Sequence, residues 1–370
     1  MTAEDELKKS KKFSNMVRRA NDKSLLVEVH RTNLPFLDLA LNGGFTRGRS
    51  VEVFGESGTA KTVLAYLFLV SMQKKNGLAA LIDPERAFDP EWFQSLGGDP
   101  NELLYFDGTT VEEIIEFIKE VCDAIVVGNK KEGIDRHCGI AWDSIALSTT
   151  KHLLEEGMDK RDMSFAGALT AGCKYITGPL SAAKAILFAT NHCRDIISTD
   201  PSAKYAGTHT PGGKMYKYAV STRIELKYDG GAASSQIKED GAEKDAPMIG
   251  RFLRGIVIKS RCGAVGNNFK FPIYTKAGYE HPIFGEPTKL GIDLDEALLD
   301  LYLDGKYKIN GEPVVQSGAW CKLHASFGNT RPFRKADWKN VLAEFSQLRD
   351  LPYSNLSSTI EEGAAVEIEG

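Results

Sequence analysis

Residues 55 to 62 read Gly-Glu-Ser-Gly-Thr-Ala-Lys-Thr and restrict the possible folds of this chain more than any other segment. They differ at one position from G-x-x-x-x-G-K-[ST], a loop whose backbone N–H groups hold the phosphates of a nucleoside triphosphate. Ala60 replaces the second glycine, and we expect its Cβ to be tolerated only if the backbone keeps a negative φ. The residues predicted to surround the phosphates are Gly55, Glu56, Ser57, Gly58, Thr59, Ala60, Lys61, Thr62 and Val63.

The segments on either side of this loop favour a nucleotide-binding interpretation. Residues 50–54 are typical of a short buried strand, and residues 63–70 of an apolar helix. A strand, a tight loop and a helix N-terminus together place N–H groups around an anion. Lys61 then reaches the β- and γ-phosphates, and the Thr62 hydroxyl binds Mg²⁺. An ordinary strand–turn–helix corner is the alternative, but it does not require Lys and Thr at these positions. We therefore expect ATP and Mg²⁺ as cofactors.

The composition is that of a globular protein from a reducing compartment. The 370 residues suffice for one main domain and a smaller one. The six cysteines are scattered without a C-x-x-C pair, which argues against a disulfide framework and against zinc. The longest apolar run, residues 63–72, is too short to cross a bilayer, so we expect a cytoplasmic protein without a membrane partner. Because the net charge is −4, any contact with nucleic acid must come from local basic patches.

Short β-rich runs alternate with helical runs over most of the chain. The predicted strands are 50–54, 78–83, 138–143, 185–190, 222–227 and 255–260. Such alternation predicts an α/β fold with a mostly parallel central sheet. Residues 229–250 are rich in Gly, Ala, Ser and charge, so we expect a surface loop or disordered insertion that contributes nothing to a core.

Four segments are predicted along the chain: 1–29, 30–284, 285–352 and 353–370. The first is basic, and a marginal helix that needs a partner surface and a solvated arm are equally good interpretations. The second is the α/β core. The third has apolar residues at helical spacing in 294–302 and again in 338–345, which predicts a small α+β domain. The last is an acidic, flexible tail.

The ends of three predicted strands carry further polar groups that suit an ATPase. In a parallel sheet these ends meet at one edge, where the ligand of an α/β protein binds. Glu85 follows the strand at 78–83 and is a candidate general base for the attacking water. Asp143 ends an apolar strand and is a candidate to hold Mg²⁺. His192 is a candidate to contact the γ-phosphate and to relay its presence to the segment that follows.

With these residues in place, the chain resembles the RecA family of recombinases, and its phage-encoded members in particular. The similar stretches cover about residues 30 to 350 and include 33–49, 82–92, 96–99, 191–192, 211–214 and 318–320. The resemblance implies a P-loop NTPase core of the RecA type with a short N-terminal helical segment and a small α+β C-terminal domain. It also implies Glu85 as the catalytic base, and Asp89 and Trp92 near the adenine ring.

The resemblance further implies two DNA-binding loops. One falls at 158–172, a Gly-bearing stretch expected to be irregular, and the other follows His192 and ends at a Gly-Gly anchor. On composition alone a solvated surface loop is the favoured interpretation, although the cations and aromatic rings also suit a single strand. The position of these segments within the family pattern reverses that preference. The predicted DNA-binding residues are Lys160, Arg161, Arg194, Lys204, Tyr205, His209, Gly212, Gly213 and Lys214, with Phe165 beside the first set.

Lys259 and Arg261 alternate with apolar residues, so both are predicted to lie on one face of a strand. By resemblance, they are the two cations that reach the γ-phosphate of a neighbouring subunit. A solvated face of an edge strand is the alternative.

Together these features predict an ATP-dependent DNA recombinase, acting as a DNA-dependent ATPase. It forms helical filaments on single-stranded DNA and catalyses homologous pairing and strand exchange with double-stranded DNA. Further expected partners are a single-strand-binding protein and a loader, in a bacterial cell or a phage-infected host. A hexameric helicase on the same core and a non-catalytic recombination mediator are the alternatives. The helicase alternative is disfavoured because the sequence shows no N-terminal helical collar. The mediator alternative is disfavoured because a non-catalytic protein does not require Lys61, Thr62, Glu85 and Asp143.

Overall fold

The computed structural model of the chain describes residues 27–157, 164–195, 208–239, 246–305, 307–328 and 330–354. The predictions for the N-terminal segment before residue 27 and for the acidic tail after residue 354 lie outside these ranges. Within the described residues the helices are α1 (Pro35–Ala40), α2 (Lys61–Gln73), α3 (Pro90–Ser95), α4 (Val111–Glu132), α5 (Lys151–Glu156), α6 (Ser164–Ala183), α7 (Gly213–Ala219), α8 (Leu294–Leu303) and α9 (Trp338–Glu344).

The strands follow the same order along the chain. They are β1 (Val29–His30), β2 (Phe45–Thr46), β3 (Ser50–Gly55), β4 (Leu78–Ile82), β5 (Leu103–Phe106), β6 (Cys138–Trp142), β7 (Ile186–His192), β8 (Arg194–Asp195), β9 (Thr208–His209), β10 (Thr222–Tyr228), β11 (Gln236–Lys238), β12 (Met248–Ser260), β13 (Asn268–Tyr274), β14 (Lys308–Ile309), β15 (Glu312–Pro313), β16 (Val315–Gln316) and β17 (Lys322–Leu323).

A central sheet of nine strands dominates the fold, in the order β11-β12-β10-β3-β7-β6-β4-β5, with β13 paired to β12. The strands from β10 to β5 run parallel to one another, whereas β12 pairs antiparallel with β10, β11 and β13. This arrangement confirms the predicted α/β class and the mostly parallel sheet. The parallel strands bring the ends of β3, β4, β6 and β7 to one edge.

Both faces of the central strands are buried, because alternate residues of each of these strands enter different apolar clusters. In β4, Ala79 and Leu81 pack with α2, whereas Ala80 and Ile82 pack with α4 and α6. A strand covered on both faces reads as a continuous apolar run, and that is why these strands were recognisable in the sequence. A further cluster, built around Trp338 and Tyr302, joins α8 and α9, the two helices predicted near the C-terminus.

Three strands of the main sheet were missed in the sequence, and one expectation about its edge was wrong. The missed strands are β5, β11 and β13, and β12 begins at Met248, seven residues before the predicted start. Residues 229–250 were expected to contribute nothing to a core. Instead, Ile237 and Ile249 are buried against Tyr274, because the flanking strand extends far enough to pair with β11.

The first predicted DNA loop also differs from the expectation of an irregular segment over 158–172. From Ser164 onward the chain is helical, as part of α6, and Phe165 packs against the apolar cluster of α4 and α6. Residues 158–163, which include Lys160 and Arg161, lie outside the described ranges. Among the helices that the structure describes, none combines the length and apolarity needed to cross a membrane.

Candidate nucleotide site and DNA-facing segments

The loop between β3 and α2 encloses its own lysine. Nζ of Lys61 donates to the carbonyl oxygens of Gly55 at 3.0 Å and Glu56 at 2.7 Å. Burial lowers the pKa of Lys61, and the nearby Asp143 carboxylate acts in the opposite direction. A buried ammonium group held by neutral carbonyls gains from an anionic partner, and phosphate oxygens supply one.

Ala60 has φ 61° and ψ 26°, which places it in the left-handed region. The expectation of a negative φ at this position is therefore wrong. The tight turn between the loop and the first turn of α2 imposes this conformation whichever residue occupies it, and alanine adopts it at a steric cost.

The Asp143 carboxylate lies at the end of β6, beside the start of α2. The hydroxyl of Thr190, on β7, donates to Asp143 Oδ1. Burial raises the pKa of Asp143, whereas hydrogen bonds from Thr190 and Thr62 act in the opposite direction. A carboxylate beside a threonine hydroxyl is the oxygen donor set that Mg²⁺ prefers. The residues predicted to bind the metal are thus adjacent in the structure.

Glu85 is placed by the turn that follows β4. Asp83 is buried and its Oδ2 accepts hydrogen bonds from the Phe88 N–H at 2.9 Å and from the Tyr105 hydroxyl at 3.1 Å. This turn leaves the Glu85 side chain 27% exposed, with Oε1 3.9 Å from Nε2 of His192. Ser144, which is not among the predicted site residues, donates to Glu85 Oε1 at 2.6 Å. The only signal for Ser144 was its place directly after Asp143.

These groups line one cavity of about 700 Å³ at the edge of the sheet. It brings together Lys61, Thr62, Glu85, Asp143 and His192, which come from four separate segments of the chain. Their positions agree with the predicted nucleotide site, although their individual roles stay predictions. The further wall of the cavity consists of Trp92, Tyr228, Met248, Arg251, Ile273, Tyr274, Thr275, Leu290 and Gly291.

Most of that further wall was missed, and the two residues predicted near adenine differ in position. Trp92 lines the cavity and packs against Tyr66, with 5.4 Å between ring centres. Asp89 lies outside the lining set and caps α3 by accepting hydrogen bonds from the N–H groups of Glu91 and Trp92. Tyr228 ends β10 in the same way as the other site residues end their strands, so the position of that strand end was the available signal.

A buried network connects the cavity strands to the second segment predicted to bind DNA. Glu52, fully buried in the middle of β3, accepts from Nε of Arg223 and, at 2.8 Å, from the amide of Asn191. The same amide donates to the carbonyl of Pro211 at 3.1 Å, and Arg223 donates to the Thr210 hydroxyl at 3.1 Å. Residues 210 and 211 are therefore fixed to the strands beside the phosphate loop.

The predicted second DNA loop connects two short paired strands, β8 and β9, which form a ribbon. Strands β8 and β9 pair antiparallel, and a single residue separates β8 from His192. His209 and Lys214 are exposed, and Gly212 and Gly213 have φ 105° and 74° at the start of α7. The side chain of Arg194, and both Lys204 and Tyr205, lie outside the described residues.

Lys259 and Arg261 contact the C-terminal end of α7 and do not line the chain's own cavity. Nζ of Lys259 donates to the carbonyls of Lys217, Tyr218 and Val220 at 2.5–2.8 Å. Nη2 of Arg261 donates to the Tyr218 carbonyl at 3.1 Å. Burial and the nearby Arg261 lower the pKa of Lys259. The two cations thus contact the C-terminal end of α7, and the N-terminal end of α7 follows shortly after β9 of the ribbon.

The parallel sheet, the phosphate loop and the strand-end carboxylates define a P-loop α/β protein. A family model described as the RecA N-terminal domain matches residues 2–269. Curated relatives named Protein RecA come from Heliobacterium modesticaldum, 30% identical over 80% of this chain and 74% of the relative, and from Symbiobacterium thermophilum, 27% identical over 83% and 76%. One from Francisella philomiragia is 27% identical over 80% and 71%. The chain belongs to the RecA family of recombinases, and its place among phage-encoded members stays a prediction.

The strain at Ala60 predicts the effect of restoring glycine. Ala60→Gly relieves the strain of a left-handed alanine in the folded state, but it also gives the unfolded chain more conformational freedom. Because the two effects oppose each other, the free energy of unfolding should be unchanged or higher by up to ~1 kcal/mol. Ala65→Gly, inside α2, is the matched control and should lower it by about 1 kcal/mol. Urea denaturation measures both variants. An equal loss of stability in the two variants would contradict the assigned conformation.

Proposed function

We propose that this chain is an ATP-dependent DNA recombinase that forms helical filaments on single-stranded DNA and catalyses homologous pairing and strand exchange. The observation that carries the proposal is the position of His192. It lies 3.9 Å from Glu85 in the cavity and one residue before the ribbon β8–β9. One strand thereby joins a nucleotide site to a DNA-facing segment, which is what nucleotide-controlled DNA binding requires.

The side chains present fit ATP and Mg²⁺. The loop N–H groups and Lys61 bind the phosphates, and Thr62 and Asp143 hold the metal. Bound Mg²⁺ neutralises charge on the phosphate oxygens. Glu85 accepts a proton from the attacking water, and the hydrogen bond from Ser144 fixes its orientation. Trp92 offers an aromatic face near the base, and Asp89 orients the helix that carries it.

Assembly supplies the remaining parts of the proposed mechanism. Lys259 and Arg261 lie outside the chain's own cavity, so in a filament they reach the nucleotide of a neighbouring copy and stabilise charge there. The segments 1–29, 30–284, 285–352 and 353–370 serve as polymerisation arm, ATPase core, small C-terminal domain and acidic tail. Single-stranded and double-stranded DNA, a single-strand-binding protein and a loader complete the proposed partners, in the cytoplasm of a bacterial or phage-infected cell.

A DNA-dependent ATPase assay combined with negative-stain imaging of the same sample tests the proposed function. Single-stranded DNA should raise ATP hydrolysis several-fold, and helical filaments should form on the DNA only with bound triphosphate. Lys61→Ala should lose both properties, because it removes the cation of the phosphate loop. Closed rings on DNA would favour a hexameric helicase, and hydrolysis indifferent to DNA would favour a mediator.

Replacing the proposed general base should separate binding from hydrolysis. Glu85→Gln keeps the shape and the contact with Ser144 but cannot accept a proton, so turnover should fall by more than about 100-fold. ATP affinity, measured by competition with a fluorescent nucleotide, should change little. Glu91→Gln, an exposed carboxylate on α3, is the matched control and should keep full turnover. Substantial hydrolysis by Glu85→Gln would remove Glu85 from the mechanism.

The paired cations should be needed only when copies are assembled. In the double variant Lys259→Ala and Arg261→Ala, ATP binding without DNA should be retained and DNA-stimulated hydrolysis lost. Lys322→Ala, an exposed cation of the C-terminal region, controls for lost positive charge. Full stimulation in the double variant would place these cations outside the interface, and loss of ATP binding would show that they act within their own subunit.

A further inference from the structure

Two side chains in the cavity wall have no part in the hydrolysis proposed above. Tyr228 ends β10 and Arg251 lies on the neighbouring strand β12, and both line the nucleotide cavity. The guanidinium carbon of Arg251 is 4.7 Å from the centre of the Tyr228 ring. A planar guanidinium over an aromatic face is attracted by the ring and loses little freedom when it binds a ligand.

Tyr228 rests directly on the phosphate loop. Its hydroxyl donates to the carbonyl of Ser57 at 2.8 Å. A Cβ added to Gly58 would come within 2.8 Å of the same hydroxyl, so the ring lies against the backbone of the loop. The stacked guanidinium is consequently held next to the segment whose N–H groups are expected to face the phosphates.

The turn between β10 and β11 holds Arg251 from another direction. Nη1 of Arg251 donates to the carbonyl of Ala232 at 2.5 Å and to the hydroxyl of Ser235 at 3.2 Å. Ser235 is fully buried, so the 232–235 turn is part of the folded edge of the sheet. The segment expected to be a surface loop or disordered insertion thus positions a cation at the nucleotide cavity.

Within the described part of the chain, the charge of Arg251 is not matched by a carboxylate. Among the residues that the structure describes, no carboxylate forms an ion pair with Arg251, whereas Arg254, three positions along the strand, pairs with Asp229 at 3.3 Å. Both hydrogen bonds of Arg251 to the 232–235 turn use the same nitrogen, Nη1. The guanidinium carries five N–H donors in a fork that matches phosphate oxygens.

We infer that Arg251, held by Tyr228 and the 232–235 turn, binds the phosphates that ATP and ADP share and so sets the affinity of the site for nucleotides. This inference rests on the proposed nucleotide site and adds a binding residue to it. The γ-phosphate is assigned to a different group of side chains, because Glu85 and His192 contact each other and neither contacts Arg251. Arg251 is therefore a determinant of affinity and not of cleavage.

Equilibrium binding to the full-length protein, at constant Mg²⁺ and without DNA, tests this inference. ATP, ADP and adenosine each displace a fluorescent ATP analogue. Arg251→Ala should weaken ATP and ADP by the same factor, about tenfold or more, because a charged hydrogen bond is lost in each case. Adenosine should bind equally well to the variant and the original protein. Arg251→Lys keeps the charge without the fork and should show an intermediate loss for both nucleotides.

Two further variants separate ligand binding from support of the fold. Arg254→Ala removes an arginine from the same strand and should leave all three affinities unchanged. Tyr228→Phe keeps the ring under Arg251 and removes the bond to Ser57, so its loss should be smaller than that of Arg251→Ala. Thermal denaturation of each variant without nucleotide shows whether the fold is retained. If Arg251→Ala does not fold, Arg251→Lys decides the question.

Three outcomes would overturn the inference. They are unchanged ATP and ADP affinity in a folded Arg251 variant, a loss for ATP without a loss for ADP, and an equal loss for adenosine. Unchanged affinity for both nucleotides would mean that Arg251 only stabilises the 232–235 turn. Lys61→Ala distinguishes this failure from failure of the proposed function. If Lys61→Ala abolishes nucleotide binding while Arg251→Ala does not, only the role of Arg251 is wrong.

Discussion

A carboxylate buried in the middle of the central sheet governs the geometry of this protein. Glu52 has no exposed surface, so its charge must be matched by partners with good geometry. Arg223 comes from the strand on one side and Asn191 from the strand on the other. A shift in the pairing of either strand would break these contacts. The register that satisfies Glu52 is also the register that places His192 beside the phosphate loop.

The same contacts extend to the segment proposed to bind DNA. Asn191 and Arg223 reach residues 211 and 210, and His192 precedes the ribbon by one residue. Both ends of the segment between β8 and β9 are therefore tied to strands that line the nucleotide cavity. In the proposed function His192 lies at one end of this segment, beside the nucleotide site, while the buried network holds the other end.

Helix α7 joins the segment proposed to bind DNA to the proposed subunit interface. It begins at the Gly-Gly anchor and ends at carbonyls bound by Lys259 and Arg261. These carbonyls are the negative end of the helix, where cations are favourable. A neighbour's nucleotide and the end of α7 would compete for the same two cations.

The pattern of residues along the chain was enough to predict the fold class and most of the residues at the candidate nucleotide site. Strands buried on both faces are continuously apolar, and the polar residues at their ends stand out from them, so residues 55–62, Glu85, Asp143 and His192 could be found. The tertiary structure decided the left-handed Ala60, the strands β11 and β13, and the wall formed by Tyr228, Met248 and Arg251. The strands and the wall depend on pairing between segments distant along the chain, whereas the conformation of Ala60 follows from the tight turn into α2. Local patterns encode which residues are buried but not which distant residues become neighbours.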